Sequence, residues 1–224
     1  MIRAILFDID GTLVDTNDMH AACWREALLR FGHDIPVETI RFQVGKGGDN
    51  LLPTLLPDIS HEEQEKLEAF RGDLYKTQYM PRAVPFPGVR ALFERLREEG
   101  LTLLLASSSS EAEVGYYKSL LGVEDLIQAT TSKDDVESSK PCPDIFEAAL
   151  TKLPGMSADE VVVIGDSPWD VVAAAKAGIR AIGFRSGGFE DRVLEEAGAC
   201  ALYDGPEDLL ARLSTSLLVA REDA

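Results

Sequence analysis

The sequence predicts an α/β protein with a Rossmann-like parallel sheet, helices on both faces of that sheet, and an inserted all-helical segment. From residue 101 onward, short apolar runs of strand length alternate with segments of helical spacing. This alternation is typical of a parallel sheet covered on both faces. Residues 15–85 carry helical spacing only, although a strand-like run precedes them. We therefore expect a discontinuous core domain, residues 1–14 and 86–224, interrupted by a helical insert at 15–85.

The first predicted strand ends in a group of polar residues. The apolar run Ile5–Phe7 leads into Asp8, Asp10, Gly11 and Thr12. Because side chains alternate along a strand, Asp8 and Asp10 can point the same way as the chain leaves the sheet. Two neighbouring carboxylates are compatible with general acid–base catalysis, with metal binding, or with a nucleophile and its proton shuttle, whereas an ordinary turn would explain only part of the string.

The insert shows two strong helix signals. The first is Asp15–Asn17, a set of capping residues ahead of apolar positions at helical spacing up to Gly32. The second is Ser60 with Glu63 in capping-box register before a further apolar face. Between them, Lys46 lies in a glycine-rich stretch that is either a flexible turn or a loop that contacts substrate.

The remainder of the chain alternates regularly. The apolar runs and their flanking turn residues predict strands at 101–106, 126–130, 161–165, 179–184 and 199–202 and helices at 111–121, 142–151, 169–177, 189–197 and 206–218.

Polar residues follow several of these strands, and ligands of open parallel sheets bind beyond the carboxyl ends of the strands. The run Ser107–Ser110 can cap a helix or hold phosphate oxygens. Lys140 stands in a proline-rich, stiff loop, although most lysines are solvated surface residues. Asp166 is expected at a strand tip, with Asp170 beside it in the first helical turn, where an acid is also favourable for the helix alone.

Composition narrows the range of functions. The 224 residues include 39 acidic and 22 basic side chains, a net charge of −17. This charge disfavours binding to nucleic acid or to anionic membranes, and an anionic substrate must meet a local positive site. No apolar run approaches the roughly 18 residues of a membrane span, and the apolar start is too short for a signal peptide. We expect a cytoplasmic protein.

Four strings of the chain resemble the motifs of the haloacid dehalogenase superfamily, most of whose members are phosphatases. They are Asp-x-Asp-Gly-Thr-Leu-x-Asp from Asp8, the serine after strand 101–106, the Lys-Pro-x-Pro-Asp run from Lys140, and Gly-Asp-x-x-x-Asp from Gly165. The resemblance implies that Asp8 is the nucleophile and Asp10 the general acid/base. It implies that Ser107 and Lys140 bind the phosphate, with Ser108 adding its backbone N–H.

The same resemblance implies a magnesium site. Its ligands would be the Asp8 carboxylate, the backbone carbonyl of Asp10, and Asp166, with Asp170 as a ligand or outer-shell partner. Oxygen ligands of this kind favour magnesium over zinc or copper. By the same resemblance, Thr12 would help to hold the loop and would be one of the substrate-binding residues. The core would be catalytic, and the insert 15–85 would be a helical cap that governs substrate choice.

The predicted function is hydrolysis of a small phosphomonoester, of the phosphoglycolate or sugar phosphate type, through an aspartyl-phosphate. A phosphosugar mutase is the alternative, because His20 and Trp24 resemble the segment of β-phosphoglucomutases in which the histidine touches the substrate. His20 can equally be an ordinary core or surface histidine. A binding or regulatory protein without turnover is a third reading. We expect a small phosphorylated metabolite as the partner, Lys46 and His20 as its contacts in the insert, and a monomer or homodimer.

Overall fold

The computed structural model describes residues 1–219. The strands within this range are β1 (Ala4–Phe7), β2 (Val14–Asp15), β3 (Val84–Pro85), β4 (Thr102–Ala106), β5 (Ala129–Thr131), β6 (Val161–Gly165), β7 (Arg180–Phe184) and β8 (Ala201–Tyr203). The α-helices are α1 (Asn17–Arg30), α2 (Val37–Gln43), α3 (Gly48–Leu55), α4 (His61–Leu74), α5 (Val89–Glu98), α6 (Glu111–Leu121), α7 (Asp144–Thr151), α8 (Pro168–Lys176), α9 (Asp191–Ala197) and α10 (Pro206–Ala211).

Six of the strands form one parallel sheet in the order β5-β4-β1-β6-β7-β8. Strand β1 lies between β4 and β6, with Phe7 opposite both Leu105 and Ile164. The carboxyl ends of these three strands therefore meet at one place on the sheet edge. The predicted fold class is confirmed.

The sheet is buried on both faces, as the apolar strands require. Ile5 and Phe7 of β1 pack into one hydrophobic cluster, which includes apolar residues of α5, α6 and α10. Ala4 and Leu6 pack into the opposite cluster, with residues of α7 and α8. Alternate residues of a single strand thus contribute to the cores on the two faces.

The helical insert has its own small core and a narrow connection to the sheet. Trp24, Leu28, Leu51 and Leu67 belong to a cluster contributed by α1, α3 and α4. The chain enters and leaves the insert through the antiparallel pair β2 and β3. The predicted boundaries at 15 and 85 lie in this ribbon, and the independence of the insert as a domain stays a prediction.

Several details differ from the sequence prediction. Helices α3 and α5 are absent from the predicted elements, and the final helix ends at Ala211, before a single 3₁₀ turn at Leu213–Thr215. Thr16 stands at the start of α1, yet its hydroxyl makes no capping hydrogen bond because it is engaged elsewhere. Among residues 1–219, no helix combines the length and apolar character needed to cross a membrane.

Candidate active site

The three central strand tips bring the predicted residues of the core together. Asp8 follows β1, Ser107 follows β4 and Asp166 follows β6. Lys140 reaches the same place from the loop before α7, and its ammonium group is hydrogen-bonded to the Asp8 carboxylate. The first turn of α8 adds Asp170, whose Oδ1 lies 2.6 Å from Lys140 Nζ. The sequence-predicted core residues therefore share one site.

Three buried carboxylates form the centre of this site. Ligand oxygens of Asp8, Asp166 and Asp170 all lie within 4.8 Å of one another. Thr12 donates to Asp166 Oδ1 at 2.9 Å and also contacts Asp8 Oδ2 at 3.2 Å, and Asn17 donates to Asp166 Oδ2 at 2.7 Å. These hydrogen bonds partly offset the cost of burying the charged carboxylates in an apolar surrounding.

Thr12 is fully buried and does not lie on the wall of the active-site cavity. Its hydroxyl contacts two of the carboxylates and so holds the loop, while its predicted role in binding substrate stays a prediction. Gly11 permits the same arrangement, because its φ is +78° and an added Cβ would overlap the Asn17 amide and the Asp166 carboxylate. Only glycine satisfies both the backbone angle and this close approach.

The electrostatics of the three carboxylates show their crowding. Burial raises the pKa of Asp166 to about 7, and the charge on Asp170 acts in the same direction. Burial also raises the pKa of Asp8 well above its ordinary value, against the opposing charge of Lys140. Burial disfavours the charged form of Lys140, but the charges of Asp170 and Asp8 still raise the pKa of its ammonium group. One lysine is thus too little positive charge for three carboxylates.

This donor set fits a divalent cation. Three ionised carboxylates and one ammonium group leave two negative charges in a buried space. Hard divalent cations such as magnesium bind carboxylate and carbonyl oxygens. The carboxylate of Asp10 lies outside the cluster, in keeping with an expected contribution through its backbone carbonyl.

Asp10 has a separate environment. Its Oδ1 accepts a hydrogen bond from the Thr16 hydroxyl at 2.7 Å and lies 2.8 Å from His20 Nε2, while Oδ2 accepts from the Ser109 hydroxyl at 2.8 Å. Burial disfavours ionisation, but His20 and the two hydroxyl donors together lower the pKa of Asp10 below its ordinary value. Asp8 and Asp10, two residues apart, therefore have opposite pKa shifts, the separation expected of two carboxylates with different roles.

The tautomer of His20 follows from its second partner. The Arg71 guanidinium contacts His20 Nδ1. Because a guanidinium has only donors, Nδ1 accepts this hydrogen bond, and in the neutral ring Nε2 carries the proton and donates it to Asp10. His20 also stacks on Tyr75, with ring centroids 4.2 Å apart. Both ring nitrogens are thus engaged, and His20 holds Asp10 as well as lying on the cavity wall.

The four serines of the run Ser107–Ser110 make different contacts. Ser110 caps α6 in a reciprocal capping box with Glu113, so capping explains this residue. Ser109 donates to Asp10, as described above. Ser107 Oγ accepts from the Ser109 N–H at 3.1 Å, which leaves its proton free to donate. Ser108 Oγ is buried on the cavity wall without a hydrogen-bond partner in the described chain, and an anionic ligand would satisfy it.

A cavity of about 130 Å³ opens over these groups, and the insert closes it from above. Lys46, on the loop before α3, lies on its wall and makes one contact with the core and one within the insert. Its ammonium group lies 4.0 Å from the centroid of the Trp169 ring, and it donates to Thr54 Oγ1 at 3.1 Å. Burial lowers the pKa of Lys46. The structure thus places both predicted insert residues, Lys46 and His20, at the cavity.

The insert also contacts the loop that carries Lys140. Asp49 Oδ2 accepts from the Ser139 N–H at 2.9 Å, and Asn50 donates to the Ser139 carbonyl at 2.8 Å. Sequence reasoning missed these two residues, together with Thr16, Asn17 and Arg71. Ser109 belonged to a run already singled out, and Thr16 and Asn17 were singled out only as helix-capping residues. Asp49, Asn50 and Arg71 carry no local signal because their partners are distant in sequence.

Comparison with known proteins identifies the family. A family model described as haloacid dehalogenase-like hydrolase matches residues 5–184. The chain belongs to this family. Like other haloacid dehalogenase-like hydrolases, it is thereby classed as an enzyme, and the recognition of the superfamily from sequence motifs is confirmed.

Relatives of this haloacid dehalogenase-like hydrolase bear phosphatase names. A phosphorylated carbohydrates phosphatase of Thermotoga maritima is 30% identical over 213 residues, 93% of this chain and 97% of that protein. A phosphoglycolate phosphatase of Yersinia pestis is 31% identical over 191 residues, covering 83% of this chain and 82% of that protein. The crystal structure of a hydrolase from Pseudomonas syringae has a TM-score of 0.89 and 32% identity, covering 96% of this chain and 99% of that chain.

Proposed function

We propose that this protein is a magnesium-dependent phosphatase that hydrolyses a small phosphomonoester, of the phosphoglycolate or sugar phosphate type, through an aspartyl-phosphate on Asp8. The observation that carries the proposal is that Asp8, paired with the buried Lys140, and the separately held Asp10 line the same cavity. The phosphatase names of the relatives support the same reaction.

In the first step, the Asp8 carboxylate attacks phosphorus, the bond to the ester oxygen breaks, and the leaving oxygen takes a proton from Asp10. In the second step, water attacks the phosphorus of the aspartyl-phosphate, Asp10 takes the proton of that water, and Asp8 is released as a carboxylate. The hydrogen bonds around Asp10 favour its ionised form, which is the form needed in the second step.

Charge neutralisation makes the first step possible. A phosphate dianion facing two ionised aspartates makes four unit-charge pairs, each worth about 4 kcal/mol at 4 Å and an effective dielectric constant of 20, a repulsion of roughly 16 kcal/mol. Lys140 offsets part of this repulsion and also stabilises charge on the transferring group, together with the hydroxyl of Ser107 and the N–H of Ser108. A magnesium ion bound by Asp8, Asp166 and the Asp10 carbonyl, with Asp170 as ligand or outer partner, would supply the remaining positive charge.

The insert supplies the enclosure. Its loops exclude water from the cavity while phosphorus is attacked, which protects the transfer from side reactions. Because the chain has a net charge of −17, we propose a small phosphorylated metabolite as its partner, in preference to nucleic acid or a membrane surface. We propose a monomer or homodimer as the active form.

The test is phosphate release from p-nitrophenyl phosphate by purified protein, with and without magnesium. Magnesium-dependent release that is lost in Asp8→Asn would support the proposal. No release by metal-loaded protein would contradict it, and transfer of phosphate between sugar positions in that case would establish the mutase alternative. The binding or regulatory alternative predicts neither reaction.

A further inference from the structure

A row of three side chains, Asp10, His20 and Arg71, runs from the core into the insert. His20 Nε2 lies 2.8 Å from Asp10 Oδ1, and the guanidinium group of Arg71, on α4, contacts the other ring nitrogen, Nδ1. Within the described chain, Nδ1 has no second hydrogen-bond partner. One imidazole ring therefore connects Arg71 to the acid/base residue of the proposed reaction.

Aromatic rings hold this row in place. The Tyr75 ring stacks on the His20 ring, with planes 12° apart, and the guanidinium carbon of Arg71 lies 4.7 Å from the Tyr75 centroid. The same carbon lies 5.0 Å from the centroid of the Trp24 ring. Contacts of this kind favour a cation and orient the planar guanidinium group. The half-buried side chain of Arg71 is therefore held against Nδ1.

The hydrogen bonds of Asp10 distinguish its two carboxylate oxygens, each of which has two lone pairs. Oδ1 accepts from the Thr16 hydroxyl at 2.7 Å and from the N–H at His20 Nε2, so both of its lone pairs are used. Among residues 1–219, Oδ2 accepts only from the Ser109 hydroxyl, at 2.8 Å, which leaves one lone pair for a proton. In this arrangement, Oδ2 is the oxygen that can carry the proton for the leaving group.

This arrangement requires that His20 donates from Nε2. Hydroxyl groups can rotate and change from donor to acceptor, so Thr16 and Ser109 do not fix the position of the proton by themselves. If the ring proton of the neutral imidazole moved to Nδ1, the lone pair of Nε2 would face Asp10 and could hold its proton away from the ester oxygen. A guanidinium group prevents this change, because it has only donors and therefore requires a lone pair at Nδ1.

We propose that Arg71 is a positioning residue for proton transfer: by fixing the Nε2–H tautomer of His20, it keeps the transferred proton on Asp10 Oδ2. This inference rests on the proposed phosphatase function and adds a residue to its mechanism. In the first step, the proton moves from Oδ2 to the ester oxygen, the bond between that oxygen and phosphorus breaks, and the bond from Asp8 to phosphorus forms. Arg71 itself exchanges no proton. Without Arg71, water at Nδ1 could donate or accept, so both tautomers would be populated.

The first test compares two esters whose leaving groups differ in their need for a proton. p-Nitrophenyl phosphate releases a weakly basic phenolate, whereas p-methylphenyl phosphate releases a more strongly basic one of similar size. The kcat/KM of each ester includes only the steps up to departure of the leaving group, so it reports Asp10 as an acid and not as a base. General acids contribute about 10²–10⁴-fold. We therefore expect Arg71→Met to lower kcat/KM for p-methylphenyl phosphate at least about tenfold more than for p-nitrophenyl phosphate.

Two further variants show whether Arg71 acts through His20. Lys66→Met removes an exposed cation of the same helix and should leave the ratio of the two kcat/KM values unchanged. In a His20→Ala background, Arg71→Met should not change the ratio further, because the ring through which Arg71 acts is missing. An equal loss on both esters in Arg71→Met, or the same change in the ratio with and without His20, would overturn the inference.

A second measurement observes the tautomer directly and needs no turnover. The chain has three histidines, and the ring signals of His20 are assigned by their loss in His20→Ala. Two-bond proton–nitrogen correlation spectra should show His20 as the Nε2–H tautomer in the wild type and as a mixture of tautomers in Arg71→Met. A wild-type ring protonated at Nδ1, or a tautomer unaffected by Arg71→Met, would overturn the inference.

These outcomes separate the inference from the function on which it rests. An active Arg71→Met enzyme with the wild-type ratio of kcat/KM values would remove Arg71 from the mechanism and leave the phosphatase intact. If metal-loaded wild type released phosphate from neither ester, the proposed function itself would be refuted, and the role of Arg71 in proton transfer with it, whichever tautomer the spectra show.

Discussion

Replacement of Lys140 by methionine probes the electrostatic design of the site. Among residues 1–219, the ammonium group is the one positive charge in contact with Asp8 and Asp170, and only 1% of the Lys140 side chain is exposed. Methionine keeps the approximate length of the side chain but removes its charge, and it leaves three carboxylates crowded together in a buried space.

The size of the effect follows from burial. Removing one partner of a buried ion pair costs about 3–5 kcal/mol because the remaining charge is left uncompensated. For a chain of 224 residues, where 1 kcal/mol shifts the melting temperature by about 2–4 °C, this predicts a decrease of about 6–20 °C in the absence of metal. Loss of a charge that stabilises the transferring phosphoryl group should also lower kcat at least about 10²-fold.

Thermal unfolding followed by circular dichroism in a chelating buffer measures the first effect. Lys152→Met is the matched control, because Lys152 is 32% exposed and lies 3.6 Å from Asp135. An exposed pair of this kind contributes about 1 kcal/mol or less. Added magnesium should recover part of the lost stability of Lys140→Met, because a bound cation neutralises the same carboxylates. Equal melting temperatures for the two variants without metal would refute the reasoning.

Three further predictions follow from the same contacts. Asp8→Asn should abolish turnover with an unchanged circular dichroism spectrum, and substantial residual activity in the pure variant would remove Asp8 as nucleophile. Lys46→Ala should impair the natural substrate more than p-nitrophenyl phosphate in steady-state assays, and an equal loss would argue against a role in specificity. Gly11→Ala should lower the free energy of unfolding in urea by about 2 kcal/mol more than Gly100→Ala, because both glycines have positive φ but only Gly11 is crowded; equal losses would exclude crowding as the cause.

Local sequence signals predicted elements well where several of them agreed. Helix 111–121 has the predicted bounds because Ser110 and Glu113 form a capping box at its start and Gly122 adopts a left-handed conformation at its end. Strand 161–165 likewise has the predicted bounds, since an unbroken apolar run ends at Asp166. The motif residues of the core converge because three parallel strands end side by side, which follows from the fold class alone.

Other features depend on contacts between distant residues. Helix α3 begins at Gly48 within a stretch whose glycines indicate a loop, and it is held by the burial of Leu51 and Leu52 in the core of the insert. Thr16 was expected to cap α1, but Asp10 offers its hydroxyl a charged acceptor. The start and apolar face of α4 were predicted correctly, yet nothing in the sequence around Arg71 indicates that it faces His20 and the cavity.

The paired strands β2 and β3 place the two ends of the insert side by side. A hairpin turn of about two residues could join them, so the sheet could be completed without the intervening segment. The paired strands therefore mark an insertion point, at which one inserted segment could be replaced by another during evolution without breaking the sheet. The first turn of α1 would have to be kept in any such replacement, because Asn17 in that turn donates a hydrogen bond to Asp166. Without this turn, the buried Asp166 carboxylate would lose one of its hydrogen-bond donors.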